Sequence, residues 1–116
     1  MLRGARGFTS VASDGHLCLS LIERQVDDYM TSNGIEHEKE VPYPTDSSLN
    51  STGLRADWRL RDGALVEAFG MPAVQAYADK MEIKRALAKK SGMKLIEVLP
   101  TDLLRLDQIF VRYLQK

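Results

Sequence analysis

Arg55-Ala56-Asp57-Trp58-Arg59-Leu60-Arg61-Asp62-Gly63-Ala64-Leu65-Val66-Glu67-Ala68-Phe69-Gly70 is the stretch on which the reading of the fold turns. Apolar and polar residues alternate on both sides of Arg61-Asp62-Gly63, the pattern of two strands joined by a tight turn. A three-residue loop with Gly63 in the left-handed conformation pairs Leu60 with Ala64, Trp58 with Val66 and Ala56 with Ala68 on one apolar face. The same register sets Asp57 opposite Glu67 on the other face. Directly opposed residues have Cβ atoms about 5 Å apart, close enough for two carboxylates to repel. A cation between them removes that penalty, and Mg²⁺ is commonly held by one or two carboxylates with water and phosphate oxygens. A two-residue loop instead slips the register by one. It sets Trp58 against Glu67 and leaves the acids as surface charges flanked by Arg55 and Arg59. Periodicity alone leaves both registers open.

Working outward, Ser20 reads as a helix cap with Glu23 three residues on, and Ile22, Val26, Tyr29 and Met30 form the apolar stripe. Asn33-Gly34 closes that helix. Upstream, Asp14-Gly15 predicts a tight turn, with a short strand over Leu17 to Leu19. The first dozen residues lack periodicity and read as a mobile basic arm, so the domain is expected over residues 13–116. Ile35 to Tyr43 is extended, and Pro44 to Gly53 is a polar loop that could lack order. After the hairpin, Pro72 suits a helix's first turn, and the helix runs to Ser91-Gly92. Lys94 to Leu99 is a buried strand. Thr101 caps a last helix whose Leu103, Leu106, Phe110 and Tyr113 face inward. The expected fold is one α/β domain of order α-β-β-β-α-β-α.

The composition suits a single core: 116 residues, 44% hydrophobic and 28% charged, with one cysteine and zero net charge. Cys18 has no partner for an internal bridge and reads as a small buried hydrophobe. With no apolar leader or long apolar run, a membrane span is not expected and a cytoplasmic location is. Neutrality argues against a protein that coats nucleic acid, which usually carries a basic surplus. The charges are nevertheless uneven. Lys80, Lys84, Arg85, Lys89 and Lys90 crowd one segment, and Asp27, Asp28, Glu36, Glu38 and Glu40 another.

The runs Arg55-Ala56-Asp57-Trp58 and Val66-Glu67-Ala68-Phe69-Gly70 resemble the PD-(D/E)xK, or restriction-endonuclease-like, nuclease superfamily. They look like its bacterial and phage branch, in which the second acid precedes an aromatic residue and a glycine. Asp14-Gly15-His16 with Ser20-Leu21-Ile22-Glu23, and Lys94-Leu95-Ile96-Glu97-Val98-Leu99-Pro100, look like that branch too, so the resemblance spans Ser13 to Leu106. It implies a restriction-endonuclease-like core, a mixed four-stranded sheet flanked by helices, that cuts DNA phosphodiesters with Mg²⁺ or Mn²⁺. Asp57, Glu67 and the carbonyl of Ala68 would bind the metal, and Glu23 would join the site through water. The superfamily's usual lysine would stand two residues after Glu67, where this chain has Phe69. Some relatives supply it from the next helix, and Tyr77, Lys80 and Lys84 share one face there. Lys80 is the expected catalytic amine.

Simpler roles stand beside these. Glu23 suits a capping box with Ser20, Lys80 a solvated helix lysine, and Trp58 the core. His16 and His37 are too far apart in pattern for a zinc site and read as turn or surface histidines, with His16 able to touch a phosphate. Arg55, Arg59, Lys84 and His16 are the candidate DNA contacts. Three functions follow: a divalent-metal DNA endonuclease, including a nicking or structure-selective one; a catalytically silent nucleic-acid-binding module; and a protein-interaction domain. Cutting both strands usually takes two active sites, which points to a homodimer.

Overall fold

The computed structural model describes residues 10–15, 17–18, 20–71 and 73–114. Two short strands, β1 (Ser10–Val11) and β2 (Leu17–Cys18), pair antiparallel. They precede α1 (Leu21–Ser32), β3 (His37–Pro42), β4 (Arg55–Leu60), β5 (Leu65–Ala68), α2 (Gln75–Lys90) and β6 (Leu95–Val98). A 3₁₀ helix over Pro100–Arg105, a short α3 (Leu106–Ile109) and a 3₁₀ turn over Val111–Tyr113 follow. The main sheet runs β3-β4-β5-β6, with β3–β4 and β4–β5 antiparallel and β5–β6 parallel. A parallel neighbour requires a crossover connection, and α2 supplies it. The chain is thus α/β, with a mixed four-stranded sheet flanked by helices.

Local signals account for most element ends. Ser20 is extended and its Oγ accepts the Glu23 N–H at 3.2 Å, opening α1. Gly63 has φ +93°, and the Leu60 N–H donates to the Ala64 carbonyl at 2.8 Å. That is the three-residue loop and the register that pairs Trp58 with Val66. A φ this positive favours glycine, which carries no Cβ to clash.

α1 and the C-terminal segment cover one face of the sheet. Ile22, Val26 and Met30 pack with Trp58, Leu60, Val66, Ala68, Ile96, Val98, Leu106 and Phe110. α2 covers the other, where Leu87 meets Leu65, Ala56 and Tyr43. With helices on both faces the central strands lose alternation: all four residues of β5, Glu67 included, are buried.

Several expectations change. Ser10 and Val11 are strand and Ala12 is buried, so the basic arm does not extend to residue 12 and the folded part starts before residue 13. Pro72, expected in the first turn of α2, lies outside the described residues. The loop after Pro44 is organised: the Asp46 carboxylate accepts the Ser48 and Leu49 N–H groups and pairs with Lys90, and the buried Asn50 accepts the Leu54 N–H. Ala56 packs with the α2 face rather than beside Ala68. Thr101 does not cap a continuous last helix. Asp102 accepts the Leu99 N–H at 2.9 Å and the segment winds as 3₁₀ and α turns, while Leu103, Leu106, Phe110 and Tyr113 still face the core. Among the described residues no helix is long and apolar enough to cross a membrane.

Candidate active site

The hairpin ladder stops before it reaches the two acids. β4 and β5 pair at Trp58–Val66 and Arg59–Leu65. Beyond that point the Ala68 N–H donates to a side-chain oxygen of β4, Asp57 Oδ2, at 2.8 Å. The Phe69 N–H goes to the Val98 carbonyl. On the other side of β4, the pairing with β3 skips Glu40, which stands level with Asp57 and has φ +55°. A non-glycine residue in that region costs on the order of 1–2 kcal/mol. Backbone strain and an open ladder thus coincide at Asp57, and such strain concentrates at functional sites.

Asp57 and Glu67 line one cleft of about 640 Å³ with Tyr77, Lys80, Met81 and Lys84 of α2. Asp57 also lines a second cleft, of about 450 Å³, with Ser20, Ile22 and Glu23 of α1 and with Ala68. It therefore stands where the first turns of both helices meet the open end of the hairpin. Glu67 is 3% exposed and accepts the Tyr43 O–H at 2.7 Å and pairs with Lys84 Nζ at 2.9 Å. Glu23 is buried and pairs with Lys39 of β3, whose amine lies 4.7 Å from the Trp58 ring centroid.

Among these acids Asp57 carries the displaced titration. Burial pushes the Asp57 carboxyl up to about 7, and the neighbouring Glu67 and Glu23 charges push the same way. The Ala68 N–H and Lys39 oppose the rise without cancelling it. Burial and Glu67 raise Tyr43 far above the ordinary phenol value, which keeps it a neutral donor to Glu67. Tyr77 is raised as well, chiefly by burial.

The two acids expected together are together. Glu23 lines the second cleft with Asp57 from α1, its N–H donates to Ser20 Oγ, and its carboxylate pairs with Lys39. The Ala68 carbonyl accepts the Tyr77 O–H at 3.1 Å, and a carbonyl oxygen has a second lone pair. Lys80 is exposed and lines the cleft. Lys84, expected at DNA, is buried against Glu67. Phe69 stacks on Tyr77, with ring centroids 5.0 Å apart. Among the other candidate DNA contacts, Arg59 pairs with Glu38 and Arg55 donates to the Glu40 carbonyl at 2.7 Å. His16 lies outside the described residues, as does the side chain of Cys18.

The basic segment of α2 is largely neutralised from within. Arg85 pairs with Glu97 and Glu82, and Lys90 with Asp46. Sequence reasoning did not single out Tyr43 or Lys39, and neither has a local signature. A signal for Lys84 was present: it lies between Met81 and Leu87 on the buried stripe of α2, where an unpaired charge is costly. His37, expected at the surface, has a ring only 6% exposed, set against Asp14 and Asp27.

The chain matches no protein-family model, no curated protein and no solved structure.

Proposed function

We propose that this chain is a divalent-metal-dependent nuclease of the PD-(D/E)xK type that hydrolyses DNA phosphodiesters with Mg²⁺ or Mn²⁺. The observation that carries the proposal is the pair Asp57 and Glu67 in one cleft, with burial and mutual repulsion holding Asp57 up to about 7. Such a pair gains stability when a divalent cation replaces the proton. The hairpin leading through a helix into a parallel strand supports the superfamily's core arrangement.

In this reading Asp57 and Glu67 hold the cation, the Ala68 carbonyl is available as a third oxygen, and Glu23 reaches the site through water. The cation when bound polarises a phosphoryl oxygen and lowers the pKa of a water. Lys84 takes the part of the amine absent at Phe69, because its Nζ is already 2.9 Å from Glu67. There it orients the water and offsets charge on the phosphate. Lys80, at the cleft mouth, contacts the incoming backbone. Tyr77 holds the Ala68 carbonyl in place through its O–H.

Purified protein with plasmid and Mg²⁺ or Mn²⁺ is expected to relax or linearise it, with chelation stopping the reaction. A wild type that performs no better than an Asp57→Ala/Glu67→Ala double variant refutes the proposal. One observation favours a non-enzymatic protein-interaction domain instead, namely the internal pairing of Arg59, Arg85 and Lys90. That alternative requires flat binding curves with both single-stranded and duplex DNA.

A further inference from the structure

Apolar side chains stand exposed around the two acidic clefts. Leu21, the first residue of α1, is 59% exposed, and Met71, beyond the end of β5, is 41% exposed. Both line the cleft that also holds Asp57, Glu23 and Ala68. Val74, at the N-cap of α2, is exposed on the neighbouring cleft with Glu67, Lys80 and Lys84. Its N–H donates to the Met71 carbonyl at 3.1 Å, so Met71 and Val74 belong to one turn. Asp57 and Tyr77 line both clefts, which makes the apolar rim continuous with the acids.

Exposed apolar residues scattered singly are ordinary, but grouped around a cleft they mark a binding surface. The cations that would grip a duplex are meanwhile paired within the chain, Arg59 with Glu38, Arg85 with Glu97 and Lys90 with Asp46. The chain as a whole carries no net charge. Duplex binding draws much of its affinity from phosphate contacts. Single strands add a second source, the faces of their bases laid on apolar or aromatic side chains. In a duplex those faces are stacked on neighbouring pairs and closed to a protein.

We propose that the rim formed by Leu21, Met71 and Val74 is a binding subsite for an unpaired nucleobase, so that the substrate is DNA with unpaired bases at the cut phosphate. The cutting step rests on the nuclease reading above. A base seated against Leu21 and Met71 leaves its adjoining phosphate beside Asp57, which lines the same cleft. Glu67 is recessed and buried. A strand freed from its partner can lower its backbone to such a recessed acid, whereas a paired strand is held on the surface of the double helix. The chemistry is hydrolysis: a water oxygen bonds to phosphorus, the bond to the leaving sugar oxygen breaks, and that oxygen takes up a proton.

The test uses the full chain, Mn²⁺ and three oligonucleotides of one sequence: a single strand, a blunt duplex, and a duplex with a central unpaired bubble. The single strand and the bubble are expected to be cut about tenfold faster than the blunt duplex, or more. Leu21→Ser/Met71→Ser is expected to raise KM on the single strand about tenfold, as for one lost base contact. Its melting temperature stays unchanged, because both side chains are exposed in the free protein. Val74→Ser is the second variant should the double one unfold. In chelator, anisotropy is expected to show tighter binding of the single strand than of the duplex, with a shallow salt dependence because few phosphates are contacted. Duplex cut as fast as single strand, or variants with unaltered KM, overturns the base subsite and leaves the nuclease reading standing. If the wild type cuts none of the three, the nuclease reading fails and binding alone decides the subsite. It then stands if the single strand is preferred and the variants lose that preference, and it falls if the curves are flat or equal.

Discussion

Replacing Asp57 by asparagine is expected to stabilise the protein in chelator and, on the proposed nuclease reading, to abolish DNA cleavage. An aspartate in an unfolded chain titrates near 3.9, and in the fold Asp57 is held up to about 7 by burial and by Glu67 and Glu23. Below pH ~4 the carboxyl is protonated in both states and makes no difference to stability. Between there and about 7 the native state keeps a proton that the unfolded chain has released, so stability falls as pH rises. Above that range both states are ionised and the penalty is complete. Three units at 1.36 kcal/mol each give about 4 kcal/mol. Asp57 retains some solvent contact, so about 2–4 kcal/mol is the expected penalty at pH 8.

An asparagine cannot ionise, yet its amide oxygen still accepts the Ala68 N–H, so the substitution removes the penalty and keeps the bond. For a chain of this length each kcal/mol moves the midpoint by about 4 °C. Thermal unfolding at pH 8 in chelator is therefore expected to show a rise of about 8–16 °C, shrinking toward zero near pH ~4. Added Mg²⁺ raises the wild-type midpoint and leaves the variant unchanged. An unchanged or lower midpoint at pH 8, or the same increment at both pH values, refutes the account of a repelling buried pair.

Two further substitutions probe the surroundings. Lys84→Met removes one partner of a buried ion pair and is expected to cost about 3–5 kcal/mol. The double variant Lys84→Met/Glu67→Gln recovers most of that loss, so a denaturant-melt cycle showing no coupling refutes the pairing. Phe110→Ala is expected to cost about 3–5 kcal/mol, because Phe110 is fully buried and packs on Tyr29 and Tyr113. A loss below about 1 kcal/mol in the same melt, well short of a buried-phenylalanine deletion, shows that the C-terminal segment is not part of the core.

The sequence by itself determined what depends on neighbours along the chain. The Ser20 cap, the stripe of α1 and the Gly63 turn each follow from hydrogen bonds and steric limits spanning a few residues, while the pattern left two hairpin registers open and the three-residue loop of the structure selects the one that sets Asp57 level with Glu67. The mixed sheet was expected through the family resemblance, since a helix between two strands permits a parallel pair such as β5 and β6 without forcing one. Only the tertiary structure decided which lysine meets Glu67. Lys80 and Lys84 are one helical turn apart, and the angle at which α2 lies on the sheet sends one to solvent and buries the other. The partnership of Glu23 with Lys39 and the convergence of Asp14, Asp27 and His37 were likewise beyond reading. Their members come from separate segments, and a separation of ten or more residues carries no periodic signal. What joins them is the packing of α1 against the sheet, which brings Asp27 to the Trp58 indole and both to the start of β3.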